Sequence, residues 1–134
     1  MAMIEEALVA LLETDAAVAA LVDDRIYPIV APAGVDLPAI VYQRISGPRA
    51  ETMAGPSGLA WPRFQFGCIG GSFSEAVSVA DAVRQALDGY RGTVSGVVIR
   101  GILLLNEFSQ YEADEDEGGV SWVEYLDFGV YHLE

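Results

Sequence analysis

The stretch from Trp61 to Tyr90 constrains the fold most. Phe64, Phe66 and Cys68 alternate with Arg63 and Gln65, the period of two expected when one face of a strand is buried. The chain then passes through Gly70 and Gly71 into a segment where Ala76, Ala80, Val83 and Leu87 fall on one helical stripe, with Glu75, Asp81 and Arg84 off it. Ser72 followed by Glu75 has the spacing of a capping box, and Gly89 suits the left-handed residue after the last turn. The unit is a strand and the helix that lies on it, and it contains no chemistry.

Around it, Ile4, Leu8 and Leu11 predict a helix over 4–12, and Thr14-Asp15 interrupts it to cap a second helix over 16–22 with Val18, Leu21 and Val22 inward. Pro28, Pro32, Gly34 and Pro38 make 29–37 a loop or irregular edge segment. A strand is expected over 39–46. The run apolar on both faces over 96–105 reads as a central strand, covered by helix on one side and by another layer or subunit on the other, and the long strand over 120–133 likewise asks for two covering layers. Residues 108–112 continue or bend the first of these. Arg100 lies inside it; a lone buried guanidinium is costly, so it is either paired or turned to a rim or interface. Two polar, turn-rich segments, 47–58 and 112–119, read as flexible loops. The longer is suited to partner contact, and the acidic one lacks calcium-loop spacing.

At 134 residues, 52% hydrophobic and 20% charged, the chain is expected to form one domain with its own core. No apolar run approaches the roughly 20 residues of a membrane span. Met1-Ala2-Met3-Ile4-Glu5-Glu6 lacks the basic region of a signal peptide, so synthesis and retention in a cytoplasm are expected. The single cysteine, Cys68, fits a reducing compartment and a buried strand position. A net charge of −13, with twenty acids against seven arginines and no lysine, disfavours binding to phosphate backbones. The same charge suits a surface along which DNA must slide.

Catalysis is not expected. His132 is the only histidine and lies near the end of a terminal strand, and one His with one Cys is too little for a transition-metal site. Gly67-Cys68-Ile69-Gly70-Gly71 has neither phosphate-loop nor dinucleotide-loop spacing. No cofactor, metal or catalytic residue is assigned. A carboxylate-based hydrolase would require two acids converging in a cleft.

Several short stretches in order carry a family likeness: Leu8 to Leu12, Asp15-Ala16-Ala17-Val18-Ala19-Ala20-Leu21-Val22, Arg25-Ile26-Tyr27-Pro28, Leu37-Pro38-Ala39-Ile40-Val41-Tyr42-Gln43, Arg63-Phe64-Gln65-Phe66, Glu75 to Leu87, and Phe128-Gly129-Val130-Tyr131. Together they resemble the tail-completion proteins of long-tailed phages and phage-like gene transfer particles, also called tail terminators or head-to-tail joining proteins. The resemblance spans nearly the whole chain, though no single motif in it is specific. It implies one α+β domain over 1–134 with an antiparallel sheet of about four main strands and helices on one face. The N-terminal helices then occupy 3–22, and the sheet and its helix 38–133. It further implies a structural virion protein, not an enzyme, made in the bacterial host and placed at the tail–neck junction. There a homohexameric ring caps the tail tube, ends tail polymerisation and meets the neck or stopper protein of the head. DNA passes through its lumen without sequence-specific binding, and no membrane is involved.

On that reading Arg49, Glu51, Thr52 and Met53 in one loop and Asp114, Glu115, Asp116 and Glu117 in the other are candidate partner contacts. Arg44, Arg63 and Arg100 are candidate subunit-interface residues, since six copies at −13 each would carry about −78 and need Arg pairs or apolar contacts. The rival reading is a small cytoplasmic α+β domain that dimerises and binds an apolar ligand, with a pocket lined by Trp61, Phe64, Phe66 and Trp122.

Overall fold

The computed structural model describes residues 3–47, 49–52, 55–114 and 119–133. Arg63–Gly70 forms a strand, β5, and Phe73–Leu87 a helix, α3. Phe64, Phe66 and Cys68 are fully buried on one face of β5, against Ala76, Val79, Ala80, Val83 and Leu87 of α3 in a single core. The Ser72 hydroxyl accepts from Glu75 N at 3.2 Å, and the Glu75 carboxylate accepts from Gly71 N at 2.9 Å. The expected capping box therefore closes one residue further back than its usual form, on Gly71 instead of Ser72. Gly89 takes the left-handed conformation (φ 83°), and its N–H donates to Ile102 O at 2.7 Å.

The N-terminal helices are α1, Ile4–Thr14, and α2, Ala16–Val22. The Asp15 carboxylate accepts from Ala17 N and Val18 N at 3.1 Å each, which orients the start of α2. Ile4, Leu8, Leu12, Val18 and Val22 join the same core as α3, while Leu11 and Leu21 are only partly buried. Full burial of each such side chain contributes about 1.5–3 kcal/mol.

Among the described residues eight strands form one sheet, twice the expected number. Those anticipated are β2 (Ala39–Ser46), β5, β7 (Val97–Asp114) and β8 (Gly119–Leu133). The additional ones are short: β1 (Ile26–Pro28), β3 (Arg49–Thr52), β4 (Gly55–Ala60) and β6 (Gly92–Val94). They lie in segments whose Pro and Gly content reads locally as loop, and their existence depends on partners elsewhere. β1 runs parallel to β2, so the sheet is not wholly antiparallel. The segment expected as a flexible loop over 47–58 contains β3 and β4, paired with each other.

β8 is the centre of the sheet. One edge pairs with β7; the other pairs first with β5 and then, past Trp61-Pro62, with β4. The expectation that the run over 96–105 is a central strand is corrected. β7 continues to Asp114 and carries only the short β6 on its outer edge at Val97–Ile99. The end of α3 covers the next part of that edge, because Ile102 O accepts from Gly89 N and Leu104 N donates to the Asp88 carboxylate at 3.1 Å. Among the described residues the edge beyond has no strand partner.

Candidate assembly interface

Register separates the two faces of the β7–β8 hairpin. Ile102, Leu104, Leu126, Phe128 and Val130 face the helices. Leu103, Phe108, Tyr125, Asp127, Gly129 and Tyr131 face away, together with Leu105, which reaches over Gly129 past a register shift at Leu104/Asn106. Among the described residues no helix covers that second face. Leu103 and Leu105 are each about half exposed (50% and 51%), and Phe108 and Tyr131 more than a third. Side chains apolar on both faces thus do not signify a centrally placed strand here: one face is core and the other is open apolar surface.

Polar groups on the open face are tied together within the chain. Phe108 stacks on Tyr125 at 5.0 Å between ring centroids, and the Tyr125 hydroxyl donates to the Glu112 carboxylate at 3.0 Å. Burial, then that carboxylate, pushes the Tyr125 phenol up to about 12. The Arg63 guanidinium donates to Asp127 at 2.7 Å; the Asp127 side chain is almost wholly buried, while Arg63 is 41% exposed. Arg63 Nε and Asp127 Oδ1 are both buried without a partner, so the contact is single and not a fork.

The candidate interface arginines separate accordingly. Arg44 donates to Glu5 at 2.8 Å and lies 5.4 Å over the Phe64 ring, tying β2 to α1. Arg63 pairs within its own sheet. Arg100 is exposed and has no ion-pair or hydrogen-bond partner among the described residues. It lines a groove of about 600 Å³ with Arg91, Ile102, Leu103, Tyr131 and Leu133. Arg91, the second guanidinium there, carried no sequence signal, because only folding brings the turn after α3 beside the end of β8. Of the candidate contact residues, Arg49, Glu51 and Thr52 lie on β3 and Asp114 ends β7. Met53, Glu115, Asp116 and Glu117 lie outside the described residues.

Two acids do converge, on the helix-facing side. Glu107 and Glu124 share a hydrogen bond, and the Ser109 hydroxyl donates to the buried Glu124 carboxylate. That bond, then burial and the Glu124 charge, push the Glu107 carboxyl up to about 7, with Arg84 partly opposing. The pair lines neither the groove beside Arg100 nor a smaller one beside Val41 and Gln65, and it lacks the spacing of glycosidase carboxylates, which stand about 5 Å or more apart. Cys68 behind them is fully buried, and its thiol is pushed up by burial and then by Glu124 and Glu107. His132 is buried, its Nδ1 3.1 Å from Leu133 O. Among the described residues no group of three or more potential metal ligands occurs, and no helix is long and apolar enough to cross a membrane.

The Glu107 carboxyl has a measurable consequence. Its folded value of about 7 lies above the ordinary 4.5, so its proton stabilises the fold fully below about pH 4.5, and that contribution is lost as pH rises through 7. The melting temperature is therefore expected to fall between pH 5 and pH 8 more steeply in the parent protein than in Glu107→Gln. Equal slopes in thermal melts of the two proteins would remove the shared proton from the account.

The pocket required by the ligand-binding rival is not formed by its expected lining. Phe64 and Phe66 are sealed in the core, and neither the 600 Å³ groove nor a smaller one beside Val41 and Gln65 is lined by Trp61, Phe64, Phe66 or Trp122. Trp122 instead packs edge-on with Phe73 and Tyr111 near the far end of the hairpin.

Comparison with solved structures places the fold beside a chain from the virion of a native gene transfer agent particle. The TM-score is 0.74 at 21% identity, covering 98% of this chain and 95% of that one. Comparison with curated protein sequences found no match. The family model described as tail completion protein gp17 matches residues 6–124, nearly the whole described fold. A match over that span shows that this chain belongs to the tail completion protein gp17 family, as a structural phage tail protein.

Proposed function

We propose that the protein caps the tail tube as a homohexameric ring at the tail–neck junction, ending tube polymerisation and forming the tail side of the head–tail joint. Family membership gives the context, and the observation that carries the finer reading is the helix-free face of the β7–β8 hairpin. Leu103, Leu105, Phe108 and Tyr131 stand exposed side by side there, on a protein otherwise dominated by negative charge. A ring of identical subunits would cover that surface without any change of fold. The partners on this reading are further copies of the chain, the tail tube protein and the neck or stopper protein. The acidic surface would let DNA pass through the lumen without adhering.

Adding purified protein to uncapped tail tubes is expected to place a ring with a central hole at one tube end by electron microscopy, and to block further addition of tube subunits. Tubes that keep growing, with no density at either end, would defeat the proposal. Light scattering across a concentration series separates the dimeric ligand-binding rival, which requires a dimer that never grows larger.

A further inference from the structure

The groove beside Tyr131 combines two features found together nowhere else among the described residues: an apolar floor and two guanidinium groups without partners. Its floor is Ile102, Leu103, Tyr131 and Leu133, and Arg91 and Arg100 stand at its margin. The other arginines with described side chains are engaged: Arg25 with Leu21 O and Pro38 O, Arg44 with Glu5, Arg63 with Asp127, and Arg84 with Asp81. On a chain of net charge −13, an exposed and unneutralised pair of cations marks a place where carboxylates are to be received.

The same hairpin supplies them at its other end. Glu112 and Asp114 close β7, and the sequence continues with Glu115, Asp116 and Glu117. The eleven-residue step from Gly101 to Glu112 along β7 corresponds to about 35 Å at roughly 3.3 Å per residue, so Glu112 cannot reach the groove of its own chain. We infer that the groove is the receiving half of a head-to-tail contact between copies of this chain, occupied by the acidic end of the next copy's β7–β8 hairpin. Different patches meet in such a contact, and it closes into a ring when the rotation per subunit divides a full turn. The inference deepens the ring reading and rests on it for closure, but the contact itself can be tested whether or not a ring forms.

Leu103 lines the groove and Ala113 lies next to Glu112, so full-length Leu103→Cys and Ala113→Cys proteins carry the two halves. Cys68 does not compete, because it is buried and its thiol is raised. Mixed under a mild disulfide-exchanging oxidant at low salt, the two are expected to form a mixed disulfide about tenfold faster than Leu103→Cys with a Ser78→Cys control on the exposed side of α3, through the local concentration the contact creates. Arg91→Glu with Arg100→Glu in the groove chain, or salt at about 0.5 M, should remove the advantage. Restoration by Glu112→Arg with Asp114→Arg in the hairpin chain would confirm the charge pairing.

Equal rates with the Ser78→Cys control, or an advantage that survives the Arg91→Glu/Arg100→Glu change, would overturn the assignment. A chain carrying both Leu103→Cys and Ala113→Cys separates the two readings. A disulfide ladder ending at a closed hexamer supports both; an open-ended ladder keeps the contact and removes the ring. A hexamer seen in solution without the crosslink keeps the ring and removes the contact.

Discussion

Replacing Arg63 with Glu is expected to destabilise the fold by about 3 kcal/mol or more, before any effect on assembly is seen. Asp127 is almost completely buried, with one oxygen held by Arg63 at 2.7 Å and the other unpartnered, so its charge depends on that single guanidinium. Glu at position 63 would place a second carboxylate there, and the protein would have to protonate one or loosen the pairing of β5 with β8. Native stabilities are about 5–15 kcal/mol, so a loss of this size should lower the melting temperature by about 10 °C. Exposure of Arg63 to solvent places the expected loss at the lower end of the range for broken buried pairs. Exchanging both partners for apolar residues, Arg63→Met with Asp127→Leu, should recover most of it, since desolvating the pair offsets much of its attraction. A folded Arg63→Glu protein that melts like the parent but no longer assembles would return Arg63 to the subunit interface, where the sequence alone placed it.

The second large effect is expected at the turn between β5 and α3. A Cβ added at Gly70 would lie 2.6 Å from Ala76 N, 3.0 Å from Ser72 O and 3.1 Å from Ala76 Cα, all backbone atoms that no rotamer change can move. Gly70→Ala must therefore push the first turn of α3 off the strand and loosen Ala76, Val79 and Ala80 from the core, at a cost of about 3 kcal/mol. Gly71→Ala is the control, because the nearest atom to its added Cβ is Glu75 Oε1 at 3.8 Å. Chemical denaturation of both variants tests the argument. A Gly70→Ala protein no less stable than Gly71→Ala would show that the helix does not approach the strand this closely.

Much of this architecture was legible from local pattern. The bounds of β2 and α2, the buried stripe of α3, the Asp15 and Ser72 caps, Gly89 in its left-handed turn and Cys68 in the core all follow from spacing and side-chain chemistry within a few residues, which the chain carries wherever it folds. The order of these elements was also enough to indicate the tail-completion family. Tertiary structure decided what depends on residues far apart in sequence. β1, β3, β4 and β6 exist through their cross-strand partners, and Pro28, Pro56 and the glycines of 47–58 argue locally against them. β7 has the same apolar pattern as a doubly covered strand; whether its second face meets another layer or solvent is set by the helices, which all pack on the other side. Arg63 and Asp127 are 64 positions apart, and Arg91, Arg100 and Tyr131 meet only after two separate strands and a turn are in place. Periodicity is a property of neighbours along the chain, whereas ion pairs, edges and grooves are properties of neighbours in space.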